Sequence, residues 1–364
     1  MFRRALKVLN QRVAGGSEKY YTIDLLRGLA SMLILVVHYK HFFQGVPAYD
    51  INAIKQVVNY DYWEPIYHWG ANAVQLFWLI SGFVFLHVYG SRAHNTWRSF
   101  LLHRVARLYP LHLITLLLIA VIQMISFSYF SGYQIYGNND LFHFLLNLFF
   151  TSEWGFQDGR SFNGPIWSVS VEIFSYLIFF VGLKYLRLSI LSIILVLLGC
   201  LTVYFYWRSM IILCLIYFFS GCLCYALMTF FCQKSPTLTL AGAIAIFIVS
   251  FWAAIHPVNL PKMFVYIPLF SSLVCTLALL EQRKIMEWLN LVSWVGNTSY
   301  GNYLWHSPLQ MIFLCGVSAG IFNIEIIFSG YFMLGYVALV TCVSIISFHF
   351  FEKPSQRFIN RMCK

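Results

Sequence analysis

The sequence predicts an all-α polytopic membrane protein, a bundle of about ten transmembrane helices with both termini in the cytoplasm. Three observations carry this. Of 364 residues, 60% are hydrophobic and only 10% are charged, whereas a soluble domain carries roughly 25% charged residues. The apolar residues gather into runs near the about 20 residues that a helix needs to cross a hydrocarbon core. Lys and Arg then fall overwhelmingly in alternate connections, as the positive-inside rule requires.

In chain order, spans are expected near 22–43, 70–89, 109–130, 166–184, 188–207, 210–231, 238–255, 264–280, 297–318 and 328–351. The run 141–150 is apolar but too short to cross, and is expected as a re-entrant or interfacial helix. With the N-terminus inside, 18 Lys and Arg lie in inside segments, and the outside holds only Lys55, Arg160, Arg208 and Lys262. The net charge of +11 therefore orients the chain and favours anionic lipid, and is no nucleic-acid footprint. Residues 1–20 read as a basic cytoplasmic lead, 21–352 as the membrane domain and 353–364 as a basic cytoplasmic tail. Lys40 and His41 follow the apolar run of the first span, where a signal peptide would have small residues, so that span is expected to be retained. None of the nine Cys falls in an outside loop, which argues against a disulfide framework.

Two long outside loops, 44–69 and 131–165, are rich in Tyr, Trp, Asn, Asp and Gly. They read either as an interfacial aromatic belt or as an acceptor site in which rings and carboxylates meet sugars.

Ionisable groups inside a membrane are costly and hence functional candidates. The first span carries Asp24, Arg27 and His38. His38 lies eleven positions after Arg27, or ~16 Å of helix and about three turns, so both share one face. Asp24 can pair with Arg27 three residues on. Arg104 and Arg107 share a face at the inner mouth, where guanidinium groups suit a phosphate-bearing ligand. The fourth span holds Glu172, with Trp167 and Ser168 on its outward side. A buried carboxylate needs a partner, and His38 or Arg27 is the expected one. In the ninth span Tyr300 precedes His306, and Pro308 frees a carbonyl beside it. The blander readings are snorkelling or topological arginines, a structural ion pair and helix packing. Ser81-Gly82 reads as close helix packing. The sequence holds no nucleophile elbow, zinc-protease, Walker or Rossmann pattern, and nothing suggests a catalytic metal.

These stretches together resemble the membrane-bound acyltransferase 3 family over roughly residues 20–358. The family's Arg–ten residues–His pattern is met by Arg27 and His38. Its second-helix motif resembles Leu76-Phe77-Trp78-Leu79-Ile80-Ser81-Gly82-Phe83. The Arg-rich loop ending in Pro is matched by Arg104, Arg107 and Pro110, with His103 where a further Arg often stands. Trp167-Ser168-Val169-Ser170-Val171-Glu172, then Ser299, Tyr300, Tyr303, Leu304, His306 and Pro308, and finally Glu352-Lys353-Pro354 complete the series.

The resemblance implies a stand-alone polysaccharide O-acetyltransferase of a bacterial inner membrane, with acetyl-CoA or another acyl-CoA as co-substrate. It implies a glycan acceptor such as a lipopolysaccharide O-antigen. Arg104 and Arg107 would hold the donor's phosphates. Arg27 would meet the pantetheine, a phosphate or the thioester oxygen. His38, oriented by Glu172, would act as general base or transient acyl carrier, and its activity would fall on protonation. A glycolipid transporter or flippase is the alternative, and it would use the same buried charges without acyl transfer.

Overall fold

In the computed structural model, residues 20–44, 55, 60–90, 97–186, 189–256 and 258–362 are described. Among them there is no strand, and each of the ten expected spans coincides with a helix. The helices are α1 (Tyr21–His38), α2 (Tyr60–Trp69), α3 (Ala73–Tyr89), α4 (Trp97–Phe130), α5 (Leu141–Leu148), α6 (Ile166–Val181), α7 (Ile190–Tyr206), α8 (Met210–Lys234), α9 (Pro236–Ile255), α10 (Lys262–Gln282), α11 (Ser299–Ser318), α12 (Gly330–Ser347) and α13 (Lys353–Arg361).

Among the described residues, eight stretches are long and apolar enough to cross a membrane. Two expected spans fall short of that measure. α7 has 17 residues and so covers only about 25 Å of a core about 30 Å thick. α11 is long enough, but Ser299, Asn302, His306, Ser307 and Gln310 dilute its apolar character.

Two expected loops prove partly helical. Residues 60–69 form α2, which runs through Pro65 and a 3-10 turn at Gly70–Asn72 into α3. Residues 97–108, expected as a connection, are the first turns of the 34-residue α4, and Pro110 lies inside it. The hydropathy pattern marked only the apolar part of each helix, because a helix continues past the hydrocarbon boundary while its backbone hydrogen bonds persist. The apolar run 141–150 is the short α5. Asp140 caps it by accepting from His143 N at 2.8 Å and His143 Nδ1 at 2.9 Å. Those bonds hold the Asp140 carboxyl below the usual carboxylate range. Most of the lead at 1–20 and most of the 44–59 part of the first loop lie outside the described residues.

The chain divides into two compact units. The first comprises Met1–Arg27, Gln75–Asn95 and Phe174–Gly296. Within it α3 and α8 touch backbone to backbone. A Cβ on Gly82 would land on the Phe218 carbonyl, and one on Gly221 on the Leu79 carbonyl. This is the small-residue packing expected of Ser81-Gly82. At the start of α1, Glu281 accepts from Tyr21 N and Thr22 N, each at 2.9 Å, and from Thr22 Oγ1 at 2.7 Å. A carboxylate at a helix N-terminus satisfies orphan N–H groups and complements the dipole.

The second unit comprises Gly28–Val74, Thr96–Ile173 and Asn297–Lys364. Its core gathers Leu35, Tyr39, Phe42 and Phe43 against Leu314, Ile327, Met333, Tyr336 and Val340. Tyr39 is fully buried and donates to the Ile327 carbonyl at 2.7 Å. This anchors the 3-10 segment Tyr39–Gln44 that extends α1.

Candidate active site

Polar residues on α11 recur every four positions, as Asn302, His306 and Gln310, and none has any exposed surface. Such spacing puts all three on one face of the helix. That face meets α1. Asn302 Nδ2 donates to Ser31 Oγ at 3.1 Å, His306 Nε2 lies 2.8 Å from His38 Nδ1, and Gln310 Nε2 donates to the His38 carbonyl at 2.9 Å. The last bond ties the end of α1, where the helix passes into the 3-10 segment, to α11.

The network assigns the tautomers. His306 Nδ1 lies 3.2 Å from the Asn302 carbonyl, which can only accept, so Nδ1 carries the proton. In a neutral ring His306 Nε2 is then an acceptor. His38 Nδ1 must therefore donate to it, which leaves the His38 Nε2 lone pair unprotonated. Among the described residues nothing bonds that nitrogen. A relay of two imidazoles, ending on a helix carbonyl, thus presents a basic nitrogen.

Pro308 has no N–H, so the Leu304 carbonyl four residues earlier lacks its helix partner. Asn163 Nδ2 donates to that oxygen at 3.2 Å and to Thr115 Oγ1 at 3.3 Å. The cost of a proline beside His306 is offset by an amide from the segment leading into α6. Gly164, the next residue, has no room for a Cβ because the Tyr136 ring occupies that place. Burial pushes the Tyr136 hydroxyl above its usual range, and Arg160 works against the shift. Arg160 itself sits over the Trp167 ring at 4.4 Å.

One turn before His306, Tyr303 donates to the Pro165 carbonyl at 2.7 Å and lies 2.6 Å from Ser168 Oγ. Since the phenol proton goes to the carbonyl, Ser168 donates to Tyr303. Glu172 stands one turn beyond Ser168 on α6, within electrostatic reach of Tyr303.

The site residues expected from sequence are thus only partly assembled. His38 and His306 are in direct contact, and Ser168, with Trp167 beside it in the chain, joins them through Tyr303. The partner of His38 is His306 rather than the expected Glu172, because four-residue spacing on α11 aims a neutral acceptor at Nδ1. Arg27 pairs with Asp24 at 3.8 Å, as expected. Tyr300 belongs elsewhere, since its hydroxyl donates to the Leu108 carbonyl at 2.8 Å, next to Arg107. Arg104 and Arg107 lie one turn apart on α4, and Glu352 is within electrostatic reach of Arg107. Asn302, Gln310, Asn163 and His41 were missed. The four-residue polar stripe of α11 was a usable signal, but nothing in the sequence aims Asn163 at Leu304.

A family model described as an acyltransferase domain matches residues 20–349. The chain belongs to the acyltransferase 3 family. It is an integral membrane acyltransferase by that membership and by its apolar helices. The chain is similar to "Protein 2 in picA locus" of Rhizobium radiobacter, with 33% identity over 106 residues, which is 28% of this chain and 45% of that protein. The aligned part thus spans less than half of that relative. No solved structure matches.

Proposed function

We propose that this acyltransferase moves an acetyl or other acyl group from cytoplasmic acyl-CoA to a hydroxyl of a cell-surface or lipid-linked glycan, with His38 as its central catalytic residue. The observation that carries the reading is the His38–His306 contact, which leaves His38 Nε2 unprotonated and, among the described residues, unbonded. A free imidazole nitrogen of this kind suits a general base on the acceptor hydroxyl, or a transient acyl carrier.

Arg104 and Arg107 hold the donor's phosphates by charge-assisted hydrogen bonds, and Arg27 meets the pantetheine arm, a phosphate or the thioester oxygen. Glu172 acts through the Ser168–Tyr303 pair and not on His38 directly. The acceptor enters past Trp167, Arg160 and Tyr136 from the extracytoplasmic side of a bacterial inner membrane. The Lys and Arg asymmetry supports that orientation.

The test is transfer from radiolabelled acetyl-CoA to surface glycan, comparing wild type with His38→Ala at matched membrane expression. Loss of label in the variant supports the reading. Absence of transfer by the wild type with any acyl-CoA would sink it in favour of glycolipid transport.

A further inference from the structure

A second imidazole lies against His38 and has no part in the chemistry above. α1 ends at His38 and the chain continues as the 3-10 segment Tyr39–Gln44. In a 3-10 turn, side chains three residues apart eclipse. His41 therefore falls directly on His38, with ring centroids 4.8 Å apart and planes 24° from parallel. Tyr136 meets His41 edge-on at 5.8 Å.

His41 is only 8% exposed, yet it is not a satisfied core histidine. Its Nδ1 is sealed from solvent and has no hydrogen-bond partner among the described residues. Among the described residues no partner bonds Nε2 either, but Nε2 is not sealed. A buried N–H without an acceptor is rarer and more costly than an unfilled lone pair. The proton of the neutral ring therefore belongs on Nε2, which makes this nitrogen a donor. Two stacked imidazoles thus carry complementary atoms: a lone pair on His38 Nε2 and an N–H on His41 Nε2.

We propose that His41 is a further catalytic residue, whose Nε2–H donates to the acyl carbonyl oxygen as charge builds on it. The inference rests on the acyl-transfer reading. The acceptor hydroxyl oxygen bonds to the acyl carbon, its proton passes to His38 Nε2, and the carbonyl π pair moves onto oxygen. His41 meets that oxyanion. The carbonyl then re-forms, the C–S bond breaks, and the CoA thiolate takes the proton from His38. His41 keeps its own proton throughout. A donor fixed by ring stacking needs no reorganisation when the charge appears, which is where such groups gain most.

The experiment compares His41→Phe, which keeps the ring and removes the N–H, with His41→Gln, which restores a donor. Acetyl-CoA is the donor, and expression and thermal unfolding in detergent are matched to wild type. His41→Phe should lower kcat by about 10²–10³-fold, the usual effect of removing one oxyanion donor, with KM for acetyl-CoA changed less than about threefold. His41→Gln should recover at least about tenfold of that loss. If His41→Phe does not accumulate, His41→Met against His41→Gln makes the same comparison. Unchanged kcat in His41→Phe beside an inactive His38→Ala would overturn the inference and leave acyl transfer standing. A loss that Gln does not recover would equally overturn the donor role. A wild type without transfer would overturn both.

Discussion

His38 Nδ1 lies 2.8 Å from His306 Nε2, and this contact decides which nitrogen of His38 is available for chemistry. The Asn302 carbonyl takes the single ring proton of His306, so the two rings have one self-consistent neutral arrangement. His306→Leu should keep the fold and lower kcat by about 10²-fold or more, within the range of general acid–base contributions. His306→Gln should retain more activity, because its amide oxygen can still accept from His38 Nδ1. Equal kcat in His306→Leu and wild type would show that the contact is packing alone.

Asn163 and Pro308 are coupled through the Leu304 carbonyl. Asn163→Leu should destabilise the protein by about 1–3 kcal/mol, the cost of a buried group left unpaired. On a Pro308→Ala background the same change should cost less, because an alanine at that position supplies the missing helix N–H. A double-mutant cycle on thermal unfolding measures the difference, and strict additivity would refute the coupling.

The α3–α8 contact leaves no space for side chains at Gly82 or Gly221. Gly221→Leu should cost at least about 3 kcal/mol, since the clash is with backbone that cannot repack. The readout is the fraction of monodisperse protein in detergent. Gly199 and Gly242 have nothing within 4 Å of an added Cβ, so Ala there should be tolerated.

Glu281 terminates α1 with three hydrogen bonds. Glu281→Ala should lower stability by about 2 kcal/mol, as for lost hydrogen bonds to a charged group. Amide exchange should quicken at Tyr21 and Thr22 before it does so elsewhere in α1. Unchanged exchange at these two residues would argue against the cap.

For Arg104 and Arg107 the expected effect is on the donor. Arg104→Gln and Arg107→Gln should each raise KM for acetyl-CoA about tenfold, equivalent to one charge-assisted hydrogen bond. An effect on kcat with KM unchanged would remove them from the phosphate site.

The positions of the helices were legible because membrane insertion is written locally. Runs of apolar residues and the placement of Lys and Arg do not depend on which helix packs on which. Arg27, His38, Ser168, Glu172 and His306 were also visible, since a polar group in an apolar run is conspicuous at its own position. Helix ends were less legible at α2 and α4, where the backbone stays helical beyond the apolar stretch.

What only the tertiary structure decided is pairing. The sequence by itself named two histidines and a carboxylate, and suggested that Glu172 would meet His38 or Arg27. Packing of α1 on α11 matches His38 to His306, because Asn302, His306 and Gln310 face Ser31 and His38 in register. The switch from α to 3-10 winding at Tyr39 then brings His41 onto His38. Neither result can be read from composition or spacing. The hydrophobic pattern places a helix in the membrane, but the rotation of that helix, and so the atom each ring offers, is settled by its neighbours.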